Sequence, residues 1–242
     1  MCAGVMKMHV TAIVPAAGGG TRMEAGQPKQ YLLLAGVPLL SHTLRALLAA
    51  ECLDELILVV PLGHEERCRR EILQPFGIAV QALVPGGEDR QASVYAGLLH
   101  ARAETDLILV HDGARPFVSP ALVREAVRVA GESGGAVVAV PVTDTIKLAD
   151  GDGWLLATPE RGRLWAAQTP QVFPAPLFRE AHARALRDGF RTTDDSALVE
   201  RLNRPVRLVP GSAENLKITT AADLLLADQI LRARQMAAGR AG

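Results

Sequence analysis

PAAGGGTRM, from Pro15 to Met23, followed by PKQ at Pro28 to Gln30, is the stretch on which the reading of this chain turns. The apolar run HVTAIVP (His9–Pro15) leads into it and reads as a β-strand, so three consecutive glycines follow a strand end. Two cations, Arg22 and Lys29, stand close behind them. Four explanations compete. A P-loop needs Gly-x-x-x-x-Gly-Lys-Ser/Thr, but Gly20 is followed by Thr21 and Arg22. A dinucleotide fingerprint needs a further glycine where Met23 stands, and an acid closing the second strand, where LILVVP ends on Pro61. A plain turn that needs positive φ explains one or two glycines and neither cation. The remaining candidate is a cradle for a nucleoside triphosphate. Glycine lets backbone N–H groups approach phosphate oxygens with no Cβ in the way. Arg22 and Lys29 would then offset the charge of the triphosphate and of a departing pyrophosphate.

Outward from that loop, short apolar runs alternate with helical patterns. SHTLRALLAA (Ser41–Ala50) reads as a helix capped by Ser41, ELILVVP as a strand, and GHEERCRREIL as a helix. GIAVQALVP reads as a strand, DRQASVYAGLLHA as a helix and DLILVHD as a strand. PALVREAVRVAGESG is a helix ended by glycine, and GAVVAVPV a strand. PLFREAHARALRDG, PVRLVPG and TAADLLLADQILRARQMAA close the series as helix, strand and helix. Continuous apolar strands between amphipathic helices predict a single Rossmann-like, three-layer α/β domain over residues 1–242, built on a mostly parallel sheet. One stretch breaks the rhythm. Asp144 to Gln171 is rich in Thr, Gly, Asp and Pro and holds both tryptophans, Trp154 and Trp165. Such an excursion is usually functional, and an extended dimerisation arm over residues 144–171, reaching to a second subunit, would explain it. Ligands of open α/β sheets bind at the carboxyl ends of the strands, so the residues after each strand carry the site.

Composition narrows the partners. Lys plus Arg number 26 and Asp plus Glu 26, so there is no basic surplus for a nucleic-acid backbone. No apolar run approaches the ~18 residues of a membrane span, and MCAGVMKMHV lacks the pattern of a signal peptide. Cys2, Cys52 and Cys68 match no metal spacing and read as reduced thiols of a cytoplasmic protein. No metal-ligating cluster is expected.

With its neighbours, PAAGGGTRM…PKQY resembles the nucleotide-binding loop of sugar-phosphate nucleotidyltransferases. Within them the chain is similar to the 2-C-methyl-D-erythritol 4-phosphate cytidylyltransferase family. The matching stretches follow in order: GGEDRQASV (Gly86–Val94), VHDGARPFV (Val110–Val118), PVTDTIK (Pro141–Lys147), ERGRLWAAQTPQVF (Glu160–Phe173), TDDSALVE (Thr193–Glu200) and ENLKITT (Glu214–Thr220). They extend from His9 to about Gln235. The resemblance implies transfer of a cytidylyl group from CTP to 2-C-methyl-D-erythritol 4-phosphate, with release of pyrophosphate. It implies Mg²⁺ held mainly by the triphosphate, and a homodimer whose sites are shared between subunits.

It also implies roles, each beside a plainer reading. Arg22 and Lys29 would stabilise the reacting phosphorus. Ala16, Ala17, Gly18 and Gly19 would hold the nucleotide, with Gly87 and Ser93 on the cytosine; Asp89 is in any case a helix cap. Asp112 and Gly113, where relatives often carry alanine, would lie by the nucleotide, and Arg115 would face the acceptor; Asp112 could equally pair with Arg115. Lys217 would contact the α-phosphate, though most lysines are merely on the surface. Thr193 would bind the acceptor, although TDDSALVE is also a helix start capped by Thr193 or Asp194. Thr145 and Arg161 would enter a partner's acceptor site, with Thr169 a further acceptor ligand; Arg161 could instead pair within the arm, a contact worth ~0–1 kcal/mol. His111 reads as structural, because a phosphate nucleophile is already anionic and needs no base. The rival acceptor is another polyol phosphate such as ribitol 5-phosphate. A non-catalytic nucleotide sensor would be expected to lack Lys29 or Lys217, and both are present.

Overall fold

The computed structural model describes residues 8–18 and 28–240. Gly19, Arg22 and Cys2 lie outside the described residues. Among those described, a seven-stranded sheet forms from β1 (Val10–Pro15), β4 (Glu55–Val60), β5 (Ala82–Pro85), β6 (Leu107–Val110), β7 (Ala136–Pro141), β10 (Trp165–Pro174) and β11 (Arg207–Pro210). Two small pairs stand outside it, β2 (Leu33–Leu34) with β3 (Val37–Pro38), and β8 (Leu148–Ala149) with β9 (Leu155–Ala157). The sheet order is β11-β7-β10-β6-β1-β4-β5. Every pairing in it is parallel except those of β10, which runs antiparallel to β6 and β7.

Period-two alternation builds the layers. Ala12 and Val14, Leu56 and Leu58, and Leu107 and Leu109 face α1 (Leu39–Leu48) and α4 (Pro120–Ser133). Ile13, Ile57, Ile108 and Val110 face α3 (Arg90–Leu98), α5 (Ala175–Asp188) and α6 (Ser196–Glu200). Both faces are covered, which is why the strands read as unbroken apolar runs. A third cluster packs Leu34, Leu39, Ala114 and Phe117 against Ile218 and Ala227, docking α7 (Ala221–Arg240).

Several boundaries differ from the sequence reading. α1 begins at Leu39 with Pro38 at its N-cap, not Ser41. Leu39 and Leu40 are fully buried, so core packing starts the helix earlier, and Ser41 turns inward to donate to the Ile72 carbonyl at 3.2 Å. The second helix is a short α2 (Glu65–Cys68) followed by a π turn at Arg69–Leu73 and a 3-10 turn at Gln74–Phe76. Gly77, read as the start of a strand, ends that segment at φ +62°, so β5 begins only at Ala82. Neither Thr193 nor Asp194 caps α6; Asp195 takes the N-cap position with no side-chain cap bond. The largest correction concerns the stretch 144–171. Trp165 onward is not part of an excursion but the beginning of β10, a central strand whose Val172 and Phe173 are fully buried. Polar Gln168, Thr169 and Gln171 hid it, because they face a hydrogen-bond network rather than the apolar core. The stretch that leaves the sheet is 142–164, with the β8–β9 hairpin inside it. The caps at Asp89 and Gly134 form as the sequence suggests, and Ser119 caps the start of α4.

Two buried histidines set an acid limit on this core. His182 packs against Tyr95 and Phe178, with ring centroids 5.6 Å and 4.6 Å away, and neither ring nitrogen has a partner. His111 is fully buried. Burial pushes both pKa values down from 6.5 to about 4. The native state therefore stays neutral at these rings while the unfolded chain takes up protons. Their stabilising contribution is complete above about pH 6.5, falls as pH drops toward 4, and changes no further below that. Each shift corresponds to on the order of 3 kcal/mol. Urea midpoints measured between pH 7 and pH 4 should fall, and His182→Phe should flatten the slope. An identical pH dependence in the His182→Phe protein would contradict this account.

Candidate active site

β1 lies between β6 and β4, and the chain passes from β1 to one side and returns on the other. Such a switch point opens a crevice at the carboxyl ends of the strands. A cleft of about 480 Å³ occupies it. Its walls come from Pro15–Gly18 after β1, from Gly87–Arg90 and Ser93 after β5, and from Asp112–Ala114 after β6. Lys29, Gln30, Thr193, Lys217 and Thr219 complete the lining.

The glycines here answer to close approach. A Cβ on Gly86 would lie 2.2 Å from the Ala17 Cβ and 2.9 Å from the Ser93 Oγ, so only glycine lets the β5 loop rest on the β1 loop. The Gly87 N–H donates to Ser93 Oγ at 3.2 Å, and that hydroxyl donates to the Asp89 carbonyl at 2.8 Å. Ser93 and Gly87 thus shape one pocket wall together. Lys29 opens a 3-10 turn, Lys29–Tyr31, anchored by the buried Tyr31 ring under the Arg67 guanidinium, 3.9 Å from its centroid. Beside it, Gln30 is buried with both amide atoms unpartnered.

Asp112 is the electrostatic centre. Its Oδ1 accepts from Arg90 Nε at 2.9 Å, and its Oδ2 meets Lys217 Nζ at 3.0 Å with Arg115 Nε at 3.5 Å. Burial works against the ionised form, but Arg90, Lys217 and Arg115 outweigh it and hold the carboxyl well below the usual carboxylate range. Arg90 continues to Asp195, with Nη2 to Oδ2 at 2.7 Å. Burial disfavours its charge, yet the two acids raise its pKa above the ordinary arginine value.

Lys29, Lys217, Asp112, Gly113, Gly87, Ser93, Thr193, Ala16, Ala17 and Gly18 are therefore gathered around one cleft. Four other candidate residues are placed elsewhere. Arg115 is buried and does not line the cleft, with Nη1 donating to the Asn215 carbonyl at 2.7 Å. Thr169 is buried in β10; its Oγ1 accepts from the Asp112 N–H at 3.0 Å and bonds His111 Nδ1 at 3.1 Å. Thr145 and Arg161 sit on the excursion, exposed, and neither lines this chain's cleft. Arg161 Nη1 donates to the Thr143 carbonyl at 2.9 Å. His111 Nε2 faces the Arg115 carbonyl at 3.1 Å, so it must carry the proton there, and Nδ1 accepts from Thr169. Both nitrogens are engaged inside the fold.

Sequence reasoning missed Arg90, Asp195 and Asn215. Asn215 Nδ2 donates to Gln168 Oε1 at 3.1 Å and to the Thr169 carbonyl at 2.9 Å, fixing the loop that carries Lys217. Arg90 and Asp195 lie within conspicuous stretches, but nothing local to either signals a pairing across 105 positions. Among the described residues no cluster of acids, histidines or cysteines could hold a metal ion, and both Asp112 oxygens are committed to cations.

The chain is similar to known proteins along nearly its whole length. The profile of the 2-C-methyl-D-erythritol 4-phosphate cytidylyltransferase family matches residues 10–233. A 2-C-methyl-D-erythritol 4-phosphate cytidylyltransferase of Pelotomaculum thermopropionicum is 46% identical over 234 residues, 96% of this chain and 98% of its own. One of Geotalea uraniireducens is 46% identical over 228 residues, 93% of this chain and 97% of its own. The crystal structure of 4-diphosphocytidyl-2C-methyl-D-erythritol synthase from Anaerococcus prevotii superposes with a TM-score of 0.82 at 31% identity, covering 93% of this chain and 97% of that one. The 2-C-methyl-D-erythritol 4-phosphate cytidylyltransferase of Thermus thermophilus superposes with a TM-score of 0.76 at 38% identity, covering 93% and 100%. The chain belongs to the 2-C-methyl-D-erythritol 4-phosphate cytidylyltransferase family.

Proposed function

We propose that this enzyme performs its CTP-dependent cytidylyl transfer by in-line attack of a 2-C-methyl-D-erythritol 4-phosphate oxygen on the α-phosphorus of CTP. One P–O bond forms, the bond to pyrophosphate breaks, and 4-diphosphocytidyl-2-C-methyl-D-erythritol results. The attacking phosphate oxygen is already anionic, so no base is needed, in keeping with His111 being engaged on both nitrogens. Catalysis is positioning plus charge neutralisation. The observation that carries this reading is one cleft in which Lys29 and Lys217 face glycine-rich backbone around the ionised Asp112.

Arg22 and Lys29 stabilise the pentacoordinate phosphorus. Lys217 and Arg161 align the two phosphates, Thr193 and Thr145 contact the acceptor, and Ala16 to Gly19 with Gly87 and Ser93 hold the nucleotide. Asp112 and Gly113 lie by its ribose. We reassign Arg115 and Thr169 to support of Asp112 and of the Lys217 loop, on the bonds described above. The described residues offer no metal cage, so the divalent cation this chemistry uses would arrive on the triphosphate oxygens, where it offsets charge. The roles of these side chains do not depend on it.

Residues 142–164 are assigned to subunit contact within a single-domain homodimer. The β8–β9 hairpin supports this, because Trp154, Leu155 and Leu156 are at least 60% exposed side by side. No helix among the described residues is long and apolar enough to cross a membrane. The cysteine usage supports a cytoplasmic location.

Pyrophosphate release should be fastest with CTP and 2-C-methyl-D-erythritol 4-phosphate in a panel of polyol phosphates, and EDTA should abolish it. Faster turnover of ribitol 5-phosphate would overturn the acceptor. Preference for GTP or UTP would overturn the base.

A further inference from the structure

Asp195 has no role in the reaction as described, yet it is 2% exposed and takes a charged hydrogen bond. It does not line the cleft. An isolated buried carboxylate is costly, so its partner matters. That partner, Arg90, uses separate prongs of one guanidinium: Nη2 reaches Asp195 at 2.7 Å and Nε reaches Asp112 Oδ1 at 2.9 Å. The other Asp112 oxygen holds Lys217 Nζ at 3.0 Å. A continuous ionic relay thus runs from the start of α6, through the start of α3, to the loop after β6, and ends on the Lys217 ammonium, which lines the cleft.

Its far end is rigidly mounted. The Ser196 N–H donates to Gln171 Oε1 at 2.9 Å, tying the start of α6 to β10. Its centre is equally fixed, since the Asp112 N–H donates to Thr169 on the same strand. The charge count gives the relay a purpose. Two acids, Asp112 and Asp195, face three cations, Arg90, Arg115 and Lys217. With Asp195 ionised, Arg90 is held between two carboxylates. Were Asp195 neutral, the Nη2 end of Arg90 would lose its anchor, and the guanidinium would be free to shift against Asp112 and so change where Asp112 holds Lys217. We infer that Asp195, acting through Arg90, is a positioning residue that sets where Asp112 holds Lys217. This rests on the assignment of Lys217 to the reacting phosphates. The competing explanation is an ion pair that only docks α6.

The two part company in kinetics. Asp195→Asn keeps the shape and removes the charge. It should lower kcat by ~10²-fold, the scale of a misplaced reacting group, while the KM for CTP barely moves. Arg90→Lys keeps a charge but not the two-pronged fork, and should be as slow. Added to Lys217→Ala, itself slow, Asp195→Asn should cost little more, because the relay then ends on nothing. Unchanged kcat in Asp195→Asn with a lowered melting temperature, or wild-type kcat in Arg90→Lys, would reduce the pair to α6 docking. Multiplicative losses in the double variant would do the same. Should Asp195→Asn fail to fold, Arg90→Lys decides alone. A fully active Lys217→Ala would instead remove the Lys217 assignment and the relay with it, whereas failure of the relay by itself leaves Lys217→Ala slow.

Discussion

Lys29→Ala is expected to lower kcat by ~10²–10³-fold, about 3–4 kcal/mol, without unfolding the protein. The size follows from where charge develops. As pyrophosphate departs, negative charge grows on oxygens that a preorganised ammonium can reach, and a donor fixed in advance has no reorganisation to do at that moment. The backbone that carries Lys29 is fixed. Its turn is short, and the next two residues are buried, with Tyr31 held beneath Arg67. Those neighbours carry the fold, while Lys29 itself lines the cleft. Melting temperature should therefore change little as kcat collapses. Arg22→Ala should behave alike. The informative contrary result is a Lys29→Ala enzyme with near-normal kcat and a raised KM, which would make Lys29 a ground-state binding group only.

Mixing two dead variants is expected to restore activity. Arg161 stands on the excursion and Lys217 in the cleft of the same chain. If Arg161 serves the neighbour's site, Arg161→Ala and Lys217→Ala damage one site from opposite chains. A mixed dimer then carries one doubly damaged site and one intact site, because an isologous pair exchanges arms symmetrically. Co-refolding equal amounts gives half mixed dimers, so roughly a quarter of wild-type activity should return. Each parent alone should be nearly inactive. Dilution to monomer should end turnover before the sheet unfolds. No recovery in verified mixed dimers, or a fully active monomer, would make the excursion a lid over its own cleft.

What can be read from residues alone is whatever depends on near neighbours in the chain. Unbroken apolar runs of β-forming residues announce strands covered on both faces, and β1, β4 and β6 lie where those runs stand. Asp89 and Gly134 cap helices by local geometry. A glycine-rich stretch followed by Arg22 and Lys29 points to a phosphate cradle because phosphate binding needs backbone approach and positive charge within a short span; of that stretch Gly18 and Lys29 are among the described residues, and both line the cleft. Elements stabilised by distant partners are not legible in this way. β10 as far as Gln171 reads as an excursion because its polar residues serve a network reaching Asp112, Asp194 and Ser212. α1 starts at Leu39 because burial of that turn outweighs the capping preference of Ser41. Arg115 carries the residue type of a phosphate ligand, but the fold turns it inward onto Asn215. The Arg90 bridge joins residues whose sequence positions have no mutual periodicity. Local free energies of propensity, capping and turn formation are written in adjacent residues. The pairing of buried charges depends on which loops the sheet order brings to one end, and only the assembled tertiary structure decides that.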